Sequence, residues 1–486
     1  MKKRILSLLL ILCMAVTLLP TAAFAAEPTG NEASIGTQEY ATLAEAVSTA
    51  KDGETVTLLK DVTVSDTITI GKLITINGKN NTITAGNSKS AGETGFVLFK
   101  IEADNSQDAS KSGVTIQNCK FEIPGNDAEG NAKTNAWAAI LVERNKLSGL
   151  TIQNNSFNIK KTSRVPGKGV FQCVGLAYMP TVRVTKDITI KNNTVTANGM
   201  PDMDDLTGST VNFVVGGTNH PDHQGDPIGD YSIQNLSVTG NTLNGTNLVG
   251  VDVSNVNGLT VTGNTFNCLA AFRLATDTNR KTDNGTKNQN TGIKITVTKD
   301  EMGSNFSYML YLSGKLPMMT DQTLSFPHVK YEQILMDDEA TTAGTFVKVG
   351  FDANGGKFTF EKTSGCEFAA HVMAKNTAGT QIDLPVPTKD GYNFDGWKAE
   401  MGTTSTQLGK DAKNYTVTDS VKFVAQWSQP TTYTVTYTDG VDGEEIFKDQ
   451  VTENLKSGDK TPAFNGTPTR EGYQFTGWSP AVTDTV

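Results

Sequence analysis

An eight-residue pattern that returns five times limits this chain more than any other feature. Its copies are Val114–Phe121, Leu150–Phe157, Ile188–Val195, Leu236–Leu243 and Leu259–Phe266. Each runs apolar, hydroxyl, apolar, polar, then a pair drawn from Asn and Gly, and ends on an apolar residue two places on. Cys119 replaces the second member of the pair in the first copy. Alternation with a period of two is the mark of a strand with one buried face, so the first and third positions point inward and the hydroxyl outward. Asn and Gly tolerate positive φ and suit a tight bend, after which the closing apolar residue points inward from a new face. A ribbon that turns a corner every few residues and repeats is a coil, each turn bonded to the next at about 4.8 Å. Asn155, Asn193, Asn241 and Asn264 should then lie on one longitudinal line with Cys119 at its end, each amide bonding its neighbours above and below. An antiparallel sandwich is the alternative, and it would need hairpin turns at this spacing.

Upstream, Leu43 to Ala50 has the spacing of a short amphipathic helix, ended by Asp52-Gly53. Short β-rich runs follow at Thr55–Leu59, Val62–Val64, Thr67–Ile70 and Ile74–Ile76, separated by too few residues for a crossover helix. Together these features resemble the right-handed parallel β-helix of the pectate-lyase-like superfamily, with the helical opening in place of that family's N-terminal cap. The expected fold is all-β, with a coil over 36–335. Signature starts are 36, 38, 48 and 23 residues apart. Only the last suits a compact rung; the others imply long rungs or inserted loops, near 125–135, 160–168, 199–207 and 217–229.

Beyond Thr345 the pattern changes. Val347–Gly356, Pro385–Trp397 and Val421–Trp427 form one module over 345–428; Thr432–Tyr437 and Pro468–Trp478 begin a second over 431–486. Their Gly-Tyr-x-Phe-x-Gly-Trp cores, Gly391-Tyr392-x-Phe394-x-Gly396-Trp397 and Gly472-Tyr473-x-Phe475-x-Gly477-Trp478, are offset by 81 residues. The pattern resembles the Listeria–Bacteroides repeat, also described as the internalin-type B repeat, with a long middle around Cys366 to Ala378. A small module must draw most of its core from a few aromatics, so Tyr392, Phe394, Trp397 and Trp427 are expected to be buried, with Gly391 and Gly396 permitting turns. An exposed aromatic platform for sugar rings is the competing reading. Nothing after Trp478 corresponds to Val421–Trp427, so the second copy reads as incomplete.

The first residues read as an address. Lys2-Lys3-Arg4, an apolar run from Ile5 to Leu19 and Ala23-Phe24-Ala25 make a secretory leader over 1–25, too short in its apolar part to span a bilayer. Removing it takes the net charge from −9 to −12, which disfavours nucleic acid and anionic membranes as partners. Cys119, Cys173, Cys268 and Cys366 remain, with no metal-ligand spacing, and read as small buried residues.

Two loops could carry chemistry. Asp202, Asp204 and Asp205 could meet a cation, with Ca²⁺ as the candidate, since the resemblance implies carboxylates holding Ca²⁺ beside a basic residue; Arg183 and Arg273 lie elsewhere in the coil. His220, Asp222, His223 and Asp226 could form a metal or acid–base site. Two functions follow. One is a secreted or surface protein of a Gram-positive-type bacterium that binds polysaccharide, host glycan or host protein through the coil, with the repeats as stalk. The other is a polysaccharide lyase or glycoside hydrolase on the same coil. The first is favoured because it needs no unseen site.

Overall fold

A computed structural model describes residues 30–486 except 107, 109–110, 144–146, 166–169, 179–184, 198–209, 217–232, 276–289, 305 and 315–316. The described chain forms two units. One holds the residues up to Leu269 with those in 279–294 and 303–306; the other holds those in 270–278, 295–302 and 307–486.

In the first unit each turn lays one strand on each of three faces. On the first face Thr55–Leu58, Thr75–Asn77, Thr115–Gln117, Thr151–Gln153, Thr185–Lys191, Ile233–Thr239 and Val256–Thr262 pair in that order, all parallel. The second face carries Val62–Val64, Thr82–Ala85, Lys120–Ile123, Ser156–Ile159, Thr194–Ala197 and the start of Thr242–Val253. On the third lie Ile68–Ile70, Phe96–Ile101, Ala136–Glu143, Phe171–Tyr178, Val211–Gly216 and the end of Thr242–Val253. This is the predicted parallel β-helix, and its unbroken parallel ladders exclude the antiparallel sandwich.

The signature marks the corner between the first two faces. Its first and third positions, from Val114 and Ile116 to Leu259 and Val261, are buried, as is the closing residue on the next face. Asn118, Asn154, Asn192, Gly240 and Gly263, the first members of the bend pairs, all have φ between 55° and 68°. Phe121 and Phe157 stack inside, centroids 4.8 Å apart and 9° from parallel. The long spacings hold a third-face strand each, together with the segments that lead to it.

At the start, Ala33–Ile35 pairs antiparallel with both Gln38–Tyr40 and Thr55–Leu58, which ends the parallel ladder. The helix Leu43–Thr49 follows, its N-terminus capped by Thr42 Oγ1 accepting from the Glu45 amide at 3.1 Å, and it buries Leu43, Ala46 and Val47. No helix among the described residues is long and apolar enough to cross a membrane.

In the second unit Ala270–Ala275, the end of the strand Thr265–Ala275, pairs parallel with Tyr308–Ser313, which pairs with Ile334–Met336. A six-stranded sheet has the order Leu324–Pro327, Phe368–Ala374, Phe346–Asp352, Val421–Ser428, Asn393–Met401, Thr404–Gly409. Val421–Ser428 lies near its centre, parallel to Phe346–Asp352 and antiparallel to Asn393–Met401. Trp397, Phe351 and Phe423 form the core beneath it; the two Phe rings are stacked at 5.2 Å. Thr432–Tyr437 and Gln450–Lys456 make a separate two-stranded antiparallel sheet.

Candidate functional site

The outward side of the first face is a regular wall. Thr75, Thr115, Thr151, Thr189, Ser237 and Thr260 stand in one axial register, so hydroxyls recur at each turn, about 4.8 Å apart. A second file, two residues on, carries Asn77, Gln117, Gln153, Lys191, Thr239 and Thr262. Within it Gln153 Nε2 donates to Gln117 Oε1 at 2.7 Å, and the bend residue Asn118 donates from Nδ2 to Asn77 Oδ1 at 3.1 Å. Both files are only partly covered or exposed, because the pleat sends every second residue out of the coil.

What holds that wall flat is inside the corner. Asn155, Asn193, Asn241 and Asn264 are buried on one line, as the repeat predicts. The backbone and side-chain amides of each donate to Oδ1 of the next, at 2.8–3.0 Å. Cys119 ends the line by donating its backbone amide to Asn155 Oδ1 at 3.0 Å. Its thiol is pushed up to about 12 by burial, and burial raises Cys173, Cys268 and Cys366 likewise, so all four remain inert thiols.

Asp202, Asp204, Asp205, Arg183, His220, Asp222, His223 and Asp226 lie outside the described residues. Arg273 is described: its guanidinium lies 5.7 Å from the Tyr311 ring centroid and 3.3 Å from Ser313 Oγ. Among the described residues no three His, Cys, Asp or Glu side chains converge as metal ligands.

The first module carries a second polar-aromatic surface. Trp397 is 1% exposed and donates Nε1–H to the Pro385 carbonyl at 3.1 Å, while Phe394 and Trp427 pack partly buried against the core. Tyr392, expected in the core, is 40% exposed instead. It follows the left-handed Gly391 (φ 77°) in a turn, and that turn directs it to the surface. Lys389 Nζ lies 4.5 Å over the Tyr392 ring and 5.8 Å from that of Trp427, a cation–π clamp. These three line a cleft of about 640 Å³ with Pro387, Phe394 and Lys410. The second module repeats the clamp: the Arg470 guanidinium lies 4.2 Å over Tyr473.

Two groups gave no signal in the sequence. Ser325 Oγ donates to Glu361 Oε1 at 2.8 Å and lies 2.9 Å from His371 Nδ1. Because the serine bridges the acid and the imidazole, rather than the imidazole bridging serine and acid, this pins two adjacent strands instead of activating a nucleophile. Burial holds His371 below its ordinary value, hence neutral at pH 7. Lys161 is the other. It is 1% exposed, donates Nζ–H to the Ala136 carbonyl at 2.6 Å, and burial lowers it to about 8. The unfolded chain keeps this proton up to about pH 10.4, so the contribution of this lysine should rise with pH between about 8 and 10.4 and be constant below that window, against the fall that the four buried thiols impose above about pH 8.5; the comparison of variant with parent isolates it. Lys161→Met should flatten that rise and add about 1–2 kcal/mol at pH 7, the burial penalty less the lost bond to Ala136. Urea titrations at pH 7, 8.5 and 10 read it; an unchanged slope above pH 8 counts against a shifted lysine.

The paired modules decide the comparison with known families. Residues 348–426 and 433–485 match the Listeria–Bacteroides repeat domain. Such repeats are typical of extracellular and surface proteins. The chain has no match among curated proteins or among solved structures.

Proposed function

We propose that this is a secreted, surface-displayed bacterial protein that binds an extended glycan along the first face of its β-helix, with the Listeria–Bacteroides repeats as stalk. The observation that carries the reading is the axial register of six hydroxyl side chains from Thr75 to Thr260, flanked by a file of amides. A polysaccharide presents hydroxyls at a period of one sugar ring, and a rigid row of donors and acceptors of similar spacing meets it without ordering cost on the protein side. The Asn line inside the corner supplies that rigidity. Lys389, Tyr392 and Trp427 give the stalk an aromatic surface of the kind that stacks on sugar faces. A pectate-lyase-like ancestry of the coil belongs to the same proposal.

The test is retention of the full chain on immobilised pectins and host glycans, with and without Ca²⁺, scored also for new unsaturated ends. Retention on one glycan class, lost by about tenfold or more in the Thr151→Lys, Thr189→Lys variant, is the expected result, because two lysines break the file at adjacent turns. Equal retention by that variant would place binding elsewhere. Accumulating unsaturated ends would replace the binding reading with that of a lyase.

A further inference from the structure

The first repeat brings two cations without counter-ions to one end of its sheet. In the antiparallel register Phe394 faces Trp427 and Gly396 faces Gly409. Tyr392, just before the first of those strands, Trp427 near the end of the second and Lys410 just after the third therefore gather together. A turn closed by the Tyr392 amide on the Lys389 carbonyl, at 3.1 Å, adds Lys389. All four line the cleft of about 640 Å³.

The walls of this cleft are fixed in advance. Trp427 donates Nε1–H to the Ala353 carbonyl at 3.0 Å and meets Phe394 edge-on, ring centroids 5.5 Å apart. The backbone of Gly356 comes so close that a Cβ there would lie 2.5 Å from Trp427 Cζ2. Lys389 Nζ, over the Tyr392 ring, donates to the Asn354 carbonyl at 3.1 Å. Among the described residues neither Lys389 nor Lys410 has a carboxylate partner. The lining holds a single carboxylate, that of Asp395, whose Oδ1 accepts from Ser428 Oγ at 2.9 Å. In a chain of net charge −9, two ammonium groups against one carboxylate reverse the local sign.

We propose that this cleft binds a sugar acid, a pyranose ring that carries a carboxylate. The ring stacks its apolar C–H face on Tyr392 and Trp427, and its carboxylate accepts from Lys389 and Lys410. The proposal rests on the glycan-binding reading above and adds the charge of the sugar that the stalk takes. An ammonium group has three donors, so Lys389 keeps two after its bond to Asn354. Bonds from an ammonium to a carboxylate are stronger than those to a neutral hydroxyl, which sets the preference for an acid. Because Trp427 and Lys389 are already held in place, little ordering cost is left for binding. The second oxygen of Asp395 can accept from a ring hydroxyl.

The test labels the full chain with fluorotryptophan, which gives one fluorine signal for each of its four tryptophans, and Trp427→Phe assigns the signal of the cleft. Two matched pairs are titrated: methyl glucuronide with methyl glucoside, and sialyllactose with lactose. The acid of at least one pair should move the Trp427 signal saturably, at about tenfold lower concentration than its neutral partner, while Trp137 in the coil stays still. The pair that responds names the source of the carboxylate. Lys389→Gln with Lys410→Gln should abolish the preference and leave binding of the neutral sugar as it was. Acetate, a carboxylate without a ring, should leave the signal in place. Equal affinities within both pairs, a preference that survives the double variant, or an equal response to acetate would each overturn the proposal. Retention on immobilised glycans with a still Trp427 signal sinks this proposal and leaves the coil reading standing. A moving Trp427 signal, with retention untouched by Thr151→Lys, Thr189→Lys, sinks the coil reading alone.

Discussion

Asn193→Ala is expected to destabilise the β-helix by about 3–4 kcal/mol, far more than a surface substitution. Asn193 Oδ1 accepts from both the backbone and side-chain amides of Asn155, at 3.0 Å each. Its own Nδ2 reaches the Ile152 carbonyl at 3.0 Å and Asn241 Oδ1 at 2.9 Å. Alanine removes all of these contacts at a buried position, and the Asn155 backbone amide is left without its acceptor. A buried amide stripped of its partner loses about 1–3 kcal/mol, and several groups share the loss here. Hydrogen exchange of the Thr151–Gln153 and Thr185–Lys191 amides along a urea series isolates this unit from the repeats, which hold Trp397, Trp427 and Trp478 and would dominate fluorescence. Asn154→Gly is the control: Asn154 is exposed with φ 55°, a conformation glycine adopts freely, so the change should be near neutral. A loss below about 1 kcal/mol for Asn193→Ala would show that the line of amides is incidental to stability.

The same line explains why so much of the coil could be read from the sequence. A stacked corner imposes one chemistry on one position at every turn, so Asn155, Asn193, Asn241 and Asn264 recur with the hydroxyl and apolar residues around them. The third face left no such trace. Ala136–Glu143 and Val211–Gly216 are near-continuous apolar runs, because Val97, Trp137, Ala138, Leu141 and Val165 cluster as buried residues there and erase the alternation. Periodicity therefore leaves both stretches unassigned, between the loops expected near 125–135 and 160–168 and between those near 199–207 and 217–229. Tyr392 departs from expectation for a different reason: membership in an aromatic motif does not say which rings face inward, and Gly391 decides that through backbone geometry. Lys161 and the Ser325, Glu361 and His371 group join residues on separate strands or loops, and no local spacing announces them. The in-register wall, by contrast, follows directly from the period-two hydroxyls.

Gly396→Ala and Gly477→Ala form a matched pair with unequal expected outcomes. Both glycines occupy left-handed backbone, at φ 121° and 142°, so each substitution carries a conformational cost of about 1–2 kcal/mol. Only Gly396 adds a collision, since its Cβ would come 1.9 Å from the Leu408 carbonyl oxygen and 2.7 Å from the Gly409 carbonyl carbon. Those are backbone atoms of the paired strand Thr404–Gly409, which cannot swing aside without breaking the ladder. Gly396→Ala should therefore cost about 4 kcal/mol or more and unfold the first repeat in preference to the coil. Hydrogen exchange reads the two modules separately, through the Asn393–Met401 amides for one and the Thr432–Tyr437 amides for the other. Equal costs at the two glycines would mean that Gly477 meets a paired strand in solution as Gly396 does.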